Sequence, residues 1–151
     1  MKAGDRPSMG KYGERLSCSC IKVIGDGALG SRRAWLRNDY ADRPGHKGTP
    51  CFTDEELYAF TRLAREHGYQ ASIHGIGDAE VGQILDTYEK VLGEFPLADH
   101  RYRIEHFQMV TPADLERAVR LRVAPAMQAI HCTSDHKMAS LRLSEEDVAK
   151  S

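Results

Sequence analysis

No stretch of the chain approaches the roughly 20 consecutive apolar residues that a membrane helix needs. The opening MKAGDRPSMGKYGERL also lacks the apolar core of a secretory leader. Both absences point to a cytoplasmic chain with no membrane partner. An excess of charge is missing too, since 21 Lys and Arg stand against 22 Asp and Glu for a net charge of -1. That excludes the basic footprint of a nucleic-acid binder and leaves a small, neutral molecule as the expected partner. There is no C-x-x-C pair. Cys18, Cys20, Cys51 and Cys132 are scattered, which suits reduced thiols better than a disulfide framework. Cys18 and Cys20 alternate within an apolar stretch, so they are expected on one face of a strand rather than as soft-metal ligands.

What is present is ordinary globular material, 41% hydrophobic and 28% charged over 151 residues, enough for one core. Residues 1–15 are polar and rich in Gly, Lys and Arg and read as a flexible lead-in to a folded domain over 16–151. Leu16 to Ile24 suits a short strand ending at Gly25-Asp26-Gly27. From Ala28 to Cys51 the chain is a Gly- and Pro-punctuated loop, longer than a connection requires. Thr53-Asp54-Glu55-Glu56 then caps a helix carrying Leu57, Phe60, Leu63 and Ala64, stopped at Gly68. Tyr69 to Ile73 reads as a buried strand ending at His74, followed by a helix capped by Asp78 and carrying Val81, Ile84, Leu85, Tyr88 and Leu92. Tyr102 to Glu105 ends at His106, and Thr111-Pro112 opens a helix with Leu115, Ala118 and Val119 inward. Arg122 to Gln128 is the fourth strand, and Ser144-x-x-Asp147 signals a last short helix.

Four strands each followed by helical pattern imply successive right-handed βαβ units, an α/β fold with a parallel sheet. An open doubly wound sheet and a slice of a (β/α)8 barrel both fit, because a complete barrel takes roughly 200 to 250 residues.

The chemistry lies where polar residues interrupt this pattern. His74 and His106 each close an apolar strand at the edge where parallel α/β folds place function, and imidazoles from two strands can converge on one zinc-like cation. The bland alternative is two strand-end residues satisfied by nearby carbonyls. Lys22, inside Cys20-Ile21-Lys22-Val23-Ile24, must snorkel, find a partner or lose its charge. Carbamylation would make it an anionic oxygen ligand, and an outward-facing edge residue is the plainer reading. Asp26 and Asp78 follow strands and could hold a metal-bound histidine in its tautomer, although Asp is also a good turn and cap residue. Glu105 should point away from His106 and pair with Arg103 or Arg101. Gln128, His131 and Asp135 follow the fourth strand and could line the same mouth. Gly25-x-Gly27-x-x-Gly30 formally matches a dinucleotide fingerprint, but Ser31-Arg32-Arg33 enters a loop where that motif needs a helix.

Four ordered motifs span most of this region: Lys22 to Arg32 (Lys-x-x-x-Asp-Gly-x-Leu-Gly-Ser-Arg), Tyr40 to Gly48 (Tyr-x-Asp-x-Pro-Gly-x-x-Gly), His74 to Asp78 (His-x-Ile-Gly-Asp), and Arg103-Ile-Glu-His106 with Gln108. With Gln128, His131, Ser134 and Asp135 after the next strand, they resemble the amidohydrolase 3 family of the YtcJ type. The resemblance implies an amidohydrolase (β/α)8 barrel of which the chain supplies about four βα units, similar to strands 4 to 7. It implies a divalent metal, zinc foremost, as one or two ions held by His74, His106 and a carbamylated Lys22. Arg32, Gln128, His131 and Asp135 are then candidate contacts for an amide-like small molecule. The family's His-x-His pair and its strand 8 aspartate have no counterpart in these 151 residues. The expected function is therefore a fragment of a C-N hydrolase using metal-activated water and inactive alone. The alternative is a noncatalytic metal-binding or oligomeric α/β module. Half a barrel leaves strand edges bare, so the chain is expected to self-associate or to need the rest of the barrel.

Overall fold

The computed structural model describes residues 6–151. Four parallel strands form one sheet in the order β3-β4-β5-β6: β3 (Cys20–Ile24), β4 (Gln70–Gly75), β5 (Arg103–His106) and β6 (Ala124–Ala126). Sequential strands are spatial neighbours and the crossovers carry helices α2 (Asp54–Glu66), α3 (Asp78–Glu94) and α4 (Pro112–Leu121). This is the topology of a barrel segment rather than of a doubly wound sheet, whose strand order would reverse.

Helix α2 starts where the sequence demands. Thr53 accepts from the Glu56 amide while the Glu56 carboxylate accepts from the Thr53 amide, a reciprocal cap that satisfies two otherwise unpaired donors. Thr111 caps α4 one way only, its hydroxyl accepting from the Asp114 amide and donating to the Asp114 carboxylate. Helix α3 differs from expectation. Its N-cap is Gly77, and Asp78 is the first helical residue, its side chain engaged elsewhere. Gly77 is required by close approach, because a Cβ there would lie 1.9 Å from the Trp35 carbonyl oxygen.

One face of the sheet is dry. Ala71, Ile73 and Ile104 pack with Leu57, Val81, Ile84, Leu85 and Tyr88 into the main core. Tyr88 reaches through it to donate to the Arg103 carbonyl at 2.9 Å. The other face carries Lys22, Ile24, Ser72, His74, Arg103 and Glu105, in register by pairings such as Lys22 with Ser72 and His74 with Glu105. No described element covers this face, and Ile24 is 59% exposed. Parallel sheets are normally buried on both sides, so this bare face is the inside of an incomplete barrel. The outer flank of α4 is bare as well. Leu115 and Val119, expected inward, are 52% and 72% exposed, and only Ala118 of that set is buried, because among the described residues the main neighbouring helix of α4 is α3, which lies along one side.

Several expectations near the N-terminus change. The strand expected over Leu16 to Ile24 is two strands in different sheets. β2 (Leu16–Cys18) pairs antiparallel with β1 (Ser8–Gly10) across a left-handed turn, α1 (Lys11–Glu14). Cys18 and Cys20 therefore do not share a strand face. The expected lead-in over residues 1–15 overlaps this hairpin, and its residues 1–5 lie outside the described ones.

The long loop is a packed roof. Leu29, Ala34, Leu36 and Tyr40 are buried with Ile76, Met109, Ala139 and Leu143 in a second core above the C-terminal ends of the strands. Its partners are short helices, α6 (His136–Arg142), where the sequence suggested only loop, and α7 (Glu145–Val148), capped by Ser144 as expected; a further short helix, α5 (His131–Ser134), precedes them and buries no residue. Among the described residues no helix is long and apolar enough to cross a membrane.

Candidate metal centre

The C-terminal ends of β3, β4 and β5 bring the candidate residues together. His74 and His106 meet edge to face with ring centres 4.5 Å apart. Strand alternation alone would separate them, since His106 pairs with Gly75 and not with His74. A left-handed backbone at His106 (φ 71°), followed by another at Phe107 (φ 47°), ends the strand, and the ring lies against His74. Glu105 consequently lies on the same face as His74. As expected it pairs with Arg103, at 2.5 Å, and it also accepts from Ser72 Oγ at 2.5 Å.

Both histidines hold nitrogens that nothing satisfies. His106 Nδ1 is buried without a hydrogen-bond partner, and so is His74 Nε2. Asp26 Oδ1 stands 3.2 Å from His74 Nε2, but out of line for a hydrogen bond. A buried ring nitrogen without a hydrogen bond costs about 1–3 kcal/mol, a cost that falls on His106 Nδ1 and that the carboxylate beside His74 Nε2 eases. Burial lowers the His106 pKa, the nearby His74 lowers it further, and Gln128 opposes them, which favours the neutral imidazole that can ligate a cation.

Asp26 is fully buried and ties the site to the roof. Its Oδ2 accepts from the Trp35 amide at 2.9 Å and the Gly77 amide at 2.9 Å, and its Oδ1 from the Ile76 amide at 3.1 Å. One carboxylate thus joins the loop after β3 to the turn after β4, directly beside His74. Asp78 is also structural: it accepts from the Arg37 amide at 2.9 Å and lies 3.6 Å from the Lys150 ammonium.

Lys22 sits on the open sheet face, on an edge strand, one pleat below the histidine layer and opposite Ser72. Partial burial lowers its pKa, with Glu105 opposing and Arg103 assisting. A less basic amine on that face is a better partner for carbon dioxide than a fully solvated lysine. Arg32 is drawn into the roof instead, its guanidinium gripped by Asp42 at 3.0 and 2.7 Å.

Beyond His106 opens a cavity of about 310 Å3 lined by His106, Gln108, Met127, Gln128, His131 and Asp135, among others. Among the described residues no Lys or Arg lines it. His131 meets His106 edge to face with ring centres 5.6 Å apart. Among the described residues no three His, Cys, Asp or Glu side chains already form a metal-ready cluster.

Glu80 is the residue that sequence reasoning missed. As an acid in the first turn of α3 it looks like ordinary dipole compensation. It is 0% exposed, and neither carboxylate oxygen has a hydrogen-bond partner. It sits so close to Gly25 that a Cβ there would meet Glu80 Oε1 at 2.0 Å. Helical periodicity could have flagged it, because Glu80 precedes Val81 and lies one turn before Ile84 on the buried side.

The family model for amidohydrolases matches residues 5–151. The chain is 35% identical over 130 residues to the Arabidopsis thaliana protein LONG AFTER FAR-RED 3, covering 86% of this chain and 22% of that protein. It is 33% identical over 135 residues to the putative amidohydrolase YtcJ of Bacillus subtilis, covering 89% and 25%. Two solved structures share the fold, both uncharacterised metal-dependent hydrolases. The one from Pyrococcus horikoshii has a TM-score of 0.80 at 35% identity, with coverage of 92% of this chain and 27% of that one. The one from Pyrococcus furiosus has 0.82 at 32%, with 95% and 29%. The chain thus spans about a quarter of the length of the relatives it matches.

Proposed function

Because the chain belongs to the amidohydrolase family, we propose that it is the metal-binding middle of a hydrolase for amide-like C-N bonds, one that turns over only with donors beyond these 151 residues. The observation that carries this reading is the meeting of His74 and His106 at 4.5 Å with a buried, unpartnered nitrogen on each. Two imidazoles suit a divalent cation, and zinc before the others. His74 and His106 would hold it, and Lys22 would join them as a carbamate if one or two ions are bound. When bound, the cation supplies Lewis-acid polarisation of the amide oxygen and lowers the pKa of water.

The chain's own residues do the rest. Asp26 fixes the turn that carries His74, so the imidazole is oriented before any ligand arrives. The cavity beyond His106 takes the substrate, with the Gln108 and Gln128 amides and His131 as hydrogen-bonding groups. The absence of a lining cation favours an uncharged amide over a carboxylate or phosphate. The strand 1 histidine pair and strand 8 aspartate of the family are not in this sequence, which is why the chain alone is expected to be inactive.

Zinc titration of metal-free protein tests the reading. Binding near one equivalent per chain is expected, abolished by His74→Ala and by His106→Ala. An unmodified chain that binds no zinc, or variants that bind it unchanged, would sink it.

A second reading, an oligomeric module, is favoured by the bare inner face of the sheet with Ile24 at 59% exposure. We expect light scattering at micromolar concentration to give a mass above one chain; a clean 16.9 kDa monomer would count against self-association.

A further inference from the structure

We propose that two copies of this chain close one barrel from their four-stranded sheets, β6 of each lying parallel to β3 of the other, and that the partner's Lys22 thereby reaches the cavity beside His106. The proposal rests on the oligomeric reading above and deepens it, fixing the number of copies, the joint and the residue exchanged. Three observations carry it.

The first is the pair of free edges. Among the described residues β3 and β6 are the two ends of one parallel sheet. Pairing β3 with β3, or β6 with β6, across a two-fold axis leaves the other edges and the inner faces bare. Pairing β6 with β3 around a two-fold axis along the barrel leaves no edge at all.

The second is the direction of the backbone groups, which alternates along a parallel strand. The Gln70 amide donates to the Ser19 carbonyl and the Gly25 amide to the His74 carbonyl, so Cys20, Lys22 and Ile24 turn their backbone groups to the open side of β3. The Ala124 amide donates to the Tyr102 carbonyl, so Pro125 and Met127 turn theirs to the open side of β6. An eight-stranded parallel barrel closes with a shear of roughly eight residues per circuit, half of it per copy. Its strands tilt in a right-handed sense, so the hydrogen-bonded row through Lys22, Ser72, Arg103 and Ala124 descends toward the strand N-termini as it goes round. Ala124 then meets the partner's Cys18, Ala126 the partner's Cys20, and Gln128, which lines the cavity, the partner's Lys22. In this register the amide of the partner's Cys20 donates to the Pro125 carbonyl. The Met127 amide donates to the carbonyl of the partner's Cys20, and the amide of the partner's Lys22 to the Met127 carbonyl. The plainer reading of Pro125 is a device that blunts an edge. Here the donor it lacks would face the partner's Cys18, outside β3.

The third is size. By register with Arg103 and Glu105, β6 presents only Ala124 and Ala126 to the inner face, while β3 presents Cys20, Lys22 and Ile24. Small side chains on one edge leave room for large ones on the other.

Sedimentation velocity of the unmodified chain at micromolar concentration is expected to give twice 16.9 kDa. The joint is tested by Ala126→Cys in a chain that keeps only Cys20, through Cys18→Ser, Cys51→Ser and Cys132→Ser. Neighbouring strands lie about 4.7–4.9 Å apart, within the Cα separation that a disulfide spans. Position 126 is three strands from its own Cys20 and beside the partner's. Oxidation by copper-phenanthroline is expected to give a covalent dimer in which peptide mapping finds the link between positions 20 and 126. The same background without Ala126→Cys, or with Leu115→Cys on the outer flank of α4, is expected to stay unlinked. A link between two Cys20 residues would show β3 against β3 and overturn the proposal. An assembly that lacks the 20–126 link also overturns it and leaves the oligomeric reading standing, whereas a clean monomer sinks both.

Discussion

Replacing Glu80 by glutamine is expected to flatten the pH dependence of stability between about pH 4.5 and pH 8 and to raise the melting temperature at the alkaline end. Burial, then the charges of Asp26 and Asp54, pushes the Glu80 pKa up from 4.5 to about 8. A group whose folded pKa lies above its unfolded one contributes stability that is fully present below the unfolded value. That contribution is lost as pH rises to the folded value and stays lost above it. At about 1.36 kcal/mol per pH unit, the interval corresponds to at most roughly 5 kcal/mol. That is a large share of the 5–15 kcal/mol by which a domain of this size is typically stable. Glutamine has no proton to lose, so the two proteins should melt alike near pH 4.5 and diverge steadily upward. Urea denaturation at pH 4.5, 6, 7.5 and 9 measures it. Parallel curves for the two proteins would mean that Glu80 is solvated or paired in solution.

Loss of Asp26 should be the most damaging single change in the chain. The three backbone amides it accepts, those of Trp35, Ile76 and Gly77, would lose their side-chain acceptor in Asp26→Ala. At about 1–3 kcal/mol for each donor left unpaired, the expected loss is roughly 3–9 kcal/mol, enough to leave the chain partly unfolded at 25 °C. Asp26→Asn should cost less, because an amide oxygen in the place of Oδ2 keeps the Trp35 and Gly77 bonds and only the Ile76 amide meets an N–H donor. Equilibrium denaturation decides: a midpoint change worth under about 1 kcal/mol for Asp26→Ala would show that water replaces the carboxylate.

His74 and His106 were legible because each ends an apolar strand, and strand ends at that edge of a parallel sheet are where such chemistry sits. Their contact was not. Period-two alternation would leave His106 on the helix side, and only the left-handed backbone at its own position returns the ring to His74. Asp26 was legible as a carboxylate near the site but not as the acceptor of amides nine, fifty and fifty-one residues away. Its value lies in non-local bonds, which no local pattern records. Leu115 and Val119 show the converse: a helical apolar stripe states what a helix could bury, and the neighbours present decide what it does bury.

The sequence by itself determined the class of the fold, the main helices and their caps, the two histidine-bearing strand ends and the family. Those follow from short-range physics, namely capping hydrogen bonds and hydrophobic period, and from ordered motifs. Only the tertiary structure decided that residues 28–51 form a packed roof, that α5 brings His131 beside His106, and that a carboxylate at Glu80 is sealed from water without a partner. Each of those depends on which distant segments close over one another, because burial and unpaired polar atoms are properties of the assembled surroundings and not of the residue.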